Sequence, residues 1–60
     1  MLLRKWMSKN KLTVKQFAGL VDAKKATVYN WLTKYQAPSR IFMKRIMEVT
    51  QGEVTKKEWE

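Results

Sequence analysis

Apolar residues recur along the chain at helical intervals, interrupted at only four places: Asn10-Lys11, Asp22, Gln36-Ala37-Pro38-Ser39 and Gln51-Gly52. In the first segment, Leu2 to Lys9, Leu2 pairs with Trp6 and Leu3 with Met7 at i,i+4, which leaves Arg4, Lys5, Ser8 and Lys9 for the other faces. The second segment carries the clearest start signal. Thr13-Val14-Lys15-Gln16 is a capping-box pattern: the Thr13 hydroxyl accepts from the Gln16 amide while the Gln16 side chain reaches back. Leu12 and Phe17 stand where a hydrophobic staple closes that first turn. The spacing predicts a helix from Val14 to about Val21 with Phe17, Ala18 and Val21 inward, Ala18 being small where a neighbouring helix approaches.

The third segment, Lys24 to Lys34, places Val28, Trp31, Leu32 and Tyr35 at i, i+3, i+4 and i+7 as one apolar stripe. Its opposite face holds Lys25, Ala26, Tyr29 and Asn30, a set that core packing gives no reason for. Pro38 breaks the chain, and Ser39 is the expected N-cap of a fourth helix from Arg40 to about Thr50. That helix is expected to bury Phe42, Met43, Ile46 and Val49 and to stop at Gly52. In the tail, 53–60, Thr55-Lys56-Lys57-Glu58 repeats the capping-box pattern and suggests a last short helical turn. Apart from Glu53 to Thr55 no run alternates with period two, so the expected class is all-α: one domain over residues 1–60, with four to five helices.

Sixty residues allow one small core and no second one. With no Cys there is neither a disulfide nor a thiolate zinc site, which fits a reducing interior, and the absence of His removes most acid–base and metal chemistry. We therefore expect no enzyme, no cofactor and no small-molecule substrate. The net charge of +8 is unevenly placed: residues 1–47 carry eleven Lys and Arg against Asp22 alone, while residues 48–60 carry two Lys and four Glu. A basic body of +10 with a tail of −2 points to a polyanionic partner, although a basic surface can also serve solubility alone. No apolar run reaches the roughly 18 residues of a membrane span, and the interleaved charges of the first eleven residues do not make a signal peptide. A cytoplasmic protein is the expectation.

Two short helices joined by a three-residue turn, the second with a polar outer face, are the makings of a helix-turn-helix. The stretch LRKWMSKNKLTVKQFAGLVDAKKATVYNW resembles the phage Cro and repressor helix-turn-helix family. Leu12-Thr13 and Gln16-Phe17-Ala18 match its first helix, Val21 the inward residue before the turn, and Thr27-Val28-Tyr29-Asn30-Trp31 its second helix. With Pro38 and the helix to Gly52, the resemblance covers roughly residues 3 to 52. Two positions depart from the family pattern. Asp22 stands where a left-handed Gly is usual, and Lys24 where a Ser-type cap is usual, so that Asp22 becomes an alternative cap for the second helix.

The resemblance implies a sequence-specific regulator that occupies double-stranded DNA, with the segment 24–34 as recognition helix in the major groove of an operator half-site. Its base-contacting positions fall on Lys25, Ala26, Thr27, Tyr29 and Asn30. Asn30 suits bidentate bonding to adenine, Lys25 can donate to guanine, and the methyls of Ala26 and Thr27 can meet a thymine methyl. Thr13, Lys15 and Gln16 at one helix N-terminus, and Lys34, Ser39 and Arg40 after the recognition helix, are the candidate phosphate contacts. Each has a plainer explanation: Tyr29, Asn30 and Lys25 as solvated surface, Thr13 and Gln16 as caps. Phe17, Trp31 and the four Met are read as core.

Proteins of that family bind palindromic sites as two-fold dimers, so a weak homodimer is expected, formed either free or only on DNA. Ile41, Met47, Val54 and Trp59 are its candidate contacts, because a core this small cannot cover three Trp and every aliphatic. Trp59 has a second option, folding back on the core. Three other readings compete. A protein-interaction module of antitoxin or assembly type would use the same fold and the leftover apolar surface. A membrane-surface peptide would leave Trp31 and Phe17 unburied in water. RNA binding calls for an exposed aromatic pair, which the pattern does not offer.

Overall fold

The chain folds as α1 (Leu3–Lys9), α2 (Val14–Val21), α3 (Lys25–Leu32), α4 (Arg40–Val49) and a C-terminal 3-10 turn (Lys56–Trp59), in a computed structural model that describes residues 1–60. There is no strand, so the class is all-α as the periodicity predicts. No helix is longer than ten residues, a length at which isolated helices are marginal in water. Their stability comes from the faces they bury. α2 packs on both α3 and α4, and Phe17, Ala18 and Val21 are its inward residues.

The core joins Leu3, Trp6 and Met7 of α1 to Phe17, Val28, Trp31, Met43 and Ile46 of the other helices. Trp6 meets Phe17 edge-on, with ring centroids 5.9 Å apart, and Trp31 lies 5.4 Å from Phe42. Arg45 covers the far side of this cluster: its guanidinium sits 5.4 Å from the Phe42 ring centroid, and its Nη1 donates to the Val21 carbonyl at 3.3 Å. Trp31 and Phe17, which a membrane-surface peptide would leave unburied in water, are enclosed in the core. No helix is long and apolar enough to cross a membrane.

The capping box at α2 forms as its sequence predicts. Thr13 Oγ1 accepts from the Gln16 amide at 3.1 Å, and Gln16 Oε1 accepts from the Thr13 amide at 2.9 Å. Leu12 and Val14 pack against the core beside it. Ser39 caps α4, its Oγ accepting from the Phe42 amide at 3.5 Å.

Other expectations need correction. α1 begins at Leu3, so Leu2 is exposed and Leu3, Trp6 and Met7 are the inward set. α3 stops at Leu32: the Thr33 amide still donates to the Tyr29 carbonyl at 2.9 Å, but Lys34 then turns left-handed at φ 61°. Tyr35 therefore leaves the apolar stripe and is 80% exposed. Asp22 does not cap α3, whose N-cap is Lys24 with no side-chain bond; it sits instead in the left-handed turn after α2, at φ 57° and ψ 45°. Phe42 and Val49 are only half-buried.

Every helix ends at a left-handed residue that is not glycine: Lys11, Asp22, Lys34 and Gln51. At α4 the expected stop, Gly52, is the second left-handed residue, after Gln51, and its amide donates to the Met47 carbonyl at 2.8 Å. An L side chain is disfavoured in this region by roughly 1–2 kcal/mol, less for Asp.

The tail has a role that composition does not suggest. The Thr55 hydroxyl caps nothing, and Glu58 reaches α1, where its Oε1 accepts from the Leu3 amide at 2.6 Å. α1 has no acidic residue in its first turn and no side-chain cap of its own, so this carboxylate supplies both the acceptor and the charge its N-terminus lacks. Glu53 works alongside it. Its carbonyl accepts from the Met1 ammonium at 2.8 Å, its Oε2 accepts from the Trp6 indole N–H at 2.9 Å, and its Oε1 lies 3.6 Å from Lys9 Nζ. Thr50, 1% exposed, bridges α4 to the tail: its hydroxyl donates to the Ile46 carbonyl at 2.8 Å and accepts from the Val54 amide at 3.3 Å.

Two stability changes are expected. Glu58→Ala should cost about 1–2 kcal/mol, since the Leu3 amide loses a charged acceptor. Glu58→Gln should lose about half as much, and the exposed Glu60→Ala almost nothing. Urea unfolding followed by tryptophan fluorescence reads all three. Asp22→Gly should gain about 0.5–1 kcal/mol by relieving the left-handed side chain. For a domain this small that raises the Tm by several degrees in a far-UV circular-dichroism melt, at about 4–8 °C per kcal/mol. An unchanged or lower Tm refutes it.

Candidate nucleic-acid interface

α3 divides into two faces. Val28 and Trp31 are buried, and Leu32 packs against the core, which fixes the helix rotationally. Lys25 and Tyr29 at i,i+4, and Ala26 at i,i+3 from Tyr29, lie on the side turned to water. Tyr29 is half exposed, Asn30 is half-buried at one border of this sector, and Thr27 is half-buried at the border nearer the core. The five candidate base-contacting residues thus form an outward group of Lys25, Ala26 and Tyr29 with Asn30 at its margin. Thr27 offers only part of its side chain.

The turn after α3 holds Asn30 in place. The Gln36 amide donates to the Asn30 carbonyl at 3.2 Å, and Asn30 Nδ2 donates to Gln36 Oε1 at 3.5 Å. That uses one of the two amide hydrogens and leaves Oδ1 and the other hydrogen for a ligand, the pair that adenine recognition requires. Gln36 is a supporting residue that helical spacing could not single out, since it lies beyond the helix.

The N-terminus of α3 is electrostatically uncompensated. Lys24 is its extended N-cap and Lys25 its first residue, with no side-chain cap and no acid in the first turn. Two cations at the positive end of a helix are unfavourable, by a few tenths of a kcal/mol each at an exposed site. Lys24, absent from the sequence-derived set, was signalled by being a poor cap at a cap position. An anion at this point would relieve the repulsion.

Of the candidate phosphate contacts, Thr13, Lys15 and Gln16 are exposed at the head of α2. The capping box uses Thr13 Oγ1 and Gln16 Oε1 as acceptors only, so the Thr13 hydroxyl hydrogen, the Lys15 ammonium and the Gln16 amide nitrogen remain to donate to a phosphate. Lys34 is exposed in the left-handed turn after α3, and Ser39 and Arg40 are exposed at the start of α4. Across the molecule only Lys9 has a carboxylate within ion-pair distance. The positive field of the other cations is therefore not neutralised locally.

The four candidate dimer residues do not form one patch. Val54 is 0% exposed and belongs to the core, held there through the Thr50 hydroxyl. Trp59 folds back, its indole N–H donating to the Trp31 carbonyl at 3.0 Å. Met47 lines a groove with Trp59, whereas Ile41, 65% exposed, sits about 120° around α4 from Met47. Tyr29 and Tyr35 are both exposed aromatics, contrary to the expectation that the surface offers none for stacking bases. No group of His, Cys, Asp or Glu comes together in a way that could hold a metal ion.

Comparison with family models, with curated proteins and with solved structures returned no match to this chain.

Proposed function

We propose that this protein binds double-stranded DNA sequence-specifically, as a small transcriptional regulator of Cro or repressor type. In this reading α3 enters the major groove of an operator half-site. The observation that carries the proposal is the outer side of α3. Lys24 and Lys25 crowd its positive end without a counter-ion, and Tyr29 and Asn30 follow on positions that add little to the core.

The chemistry follows from that placement. Asn30 reads adenine through Oδ1 and its free amide hydrogen, Lys25 donates to guanine, and Ala26 meets a thymine methyl. Thr27, half-buried, contributes its methyl only at the border. Thr13, Lys15 and Gln16 hold one phosphate run, while Lys34, Ser39 and Arg40 hold another, fixing register without reading sequence. Occupancy of the operator excludes polymerase or a competing regulator, with no cofactor and no covalent step, in the cytoplasm where the nucleoid lies. A two-fold operator with half-sites about 34 Å apart is the expected target. With Val54 and Trp59 committed to the fold, the protein–protein contact between two copies is small, and we place dimerisation on the DNA rather than in free solution.

Selection from a random duplex library at near-physiological salt tests the reading. An enriched palindrome supports it, and retention that vanishes with salt and enriches nothing overturns it. Including single-stranded RNA as competitor decides whether Tyr29 and Tyr35 serve a different nucleic acid. On an enriched site, Asn30→Ala should cost about 1–3 kcal/mol and relax preference at one base pair, with little effect on random duplex. Equal loss on both would disprove the assigned docking. Lys34→Ala should weaken all sequences alike and lower the slope of log K against log salt by about one.

A further inference from the structure

We propose that the groove between α4 and the C-terminal 3-10 turn docks a short acidic segment of another protein, one that carries apolar side chains. The groove is open to solvent and measures about 970 Å³, and Met43, Met47 and Trp59, with Ala37 and Pro38, form its apolar lining. Arg40, Lys44 and Lys56 surround that lining, against a single carboxylate, Glu48. Trp59 is a fixed wall, since its indole nitrogen is tied to the Trp31 carbonyl. The two methionines are adaptable surfaces, the kind that accept varied aliphatic and aromatic side chains.

This combination selects among occupants. A duplex backbone offers phosphates to the cations but nothing apolar to Met47 and Trp59, so nucleic acid fits only half of the surface. A second copy of the chain fits poorly as well. Each copy carries +8, and of its five acids Glu53 and Glu58 are engaged with α1 and Glu48 already lines the groove. Asp22 and Glu60 are far apart in the sequence, and their flanking Val21 and Trp59 are held by the fold, which leaves Leu20 as the one exposed large apolar side chain beside either acid. An acidic amphipathic segment satisfies both parts: apolar residues enter between Met47 and Trp59, and carboxylates face Arg40, Lys44 and Lys56. Arg40 is shared with the phosphate contacts proposed above, but no α3 residue lines this groove. Lys44, Met47, Lys56 and Trp59 belong to it alone, so the peptide and the duplex can be tested apart.

The test uses the whole chain and a fluorescein-labelled peptide of about twelve residues, with Leu and Phe on one helical face and Glu elsewhere. A second peptide of equal charge has Ser in place of Leu and Phe. By fluorescence anisotropy at near-physiological salt, the first should bind at least about tenfold more tightly than the second. Met47→Ser and Lys44→Glu should each weaken it about fivefold or more, and Lys15→Glu, the same charge change away from the groove, less than about twofold. Met47 is 42% exposed, so its substitution should leave the thermal melt intact. The Met43 and Met47 methyl resonances should shift on titration. Equal binding of both peptides, or equal losses for Lys15→Glu and Lys44→Glu, would reduce the effect to net charge and overturn the proposal. So would self-association in sedimentation that Met47→Ser abolishes, which would give the groove to a second copy. Methyl shifts produced by random duplex, with displacement of the peptide, would assign it to nucleic acid instead.

Discussion

Trp31 is where the separate segments of this chain become one structure. Its side chain is enclosed in the core, its ring lies 5.4 Å from Phe42 of α4, and its carbonyl accepts the indole N–H of Trp59 from the tail. A helix of eight residues has no stability of its own to lend. α3 is held by what surrounds Trp31, and α4 and the tail are held in part by the same residue. Burying an aromatic of this size brings roughly 1.5–3 kcal/mol or more in transfer free energy, a large share of what a sixty-residue domain retains.

A second constraint sits at the opposite end of the chain. α1 starts without a cap, and its cap arrives from fifty-five residues away in Glu58, with Glu53 bonded to Trp6 beside it. The acidic tail is thus not a free counter-charge to the basic body. It closes the core over Val54 and completes α1. The charge asymmetry visible in the sequence consequently has two causes. Two of the four acids in residues 48–60, Glu53 and Glu58, bond α1, and every cation but Lys9 lacks a carboxylate at ion-pair distance.

The sequence made the helices legible wherever one short-range signal decided the outcome. The Thr13-Gln16 capping box, the Ser39 cap and the inward set Phe17, Ala18 and Val21 are all local patterns, and all are present in the structure. Expectations failed where a long-range bond or a competing local one won. Tyr35 continued the apolar period of α3, yet a left-handed Lys34 ended the helix before it. Thr55 to Glu58 had the spacing of a capping box, but Glu58 had a distant amide to satisfy. Val54 looked surplus to the core because no periodicity marks a single residue in a turn, and the buried Thr50 hydroxyl that positions it has no signature in sequence. Of the candidate site, α3's outward group could be read from spacing. The roles of Gln36 and Lys24, and the Met47–Trp59 groove, depend on how turns fold back.

The two faces of α3 also differ in what they contribute to stability. Selection for stability alone would fill exposed helical positions with strong helix formers such as Ala, Glu, Lys and Arg. It would also put acids, not lysines, in the first turn. α3 has strong formers in Lys25 and Ala26 but carries Tyr29 and, at the margin, Asn30, which are mediocre helix formers, and a lysine pair at the end where positive charge is least favoured. Tyr29 and Lys25 are too exposed to recover that loss through burial. Trp31 and Val28 hold the helix firmly enough to tolerate it, so the outer face can be chosen for something other than folding. That separation is what allows the outer side of α3 to be substituted, and its proposed binding tested, without unfolding the molecule.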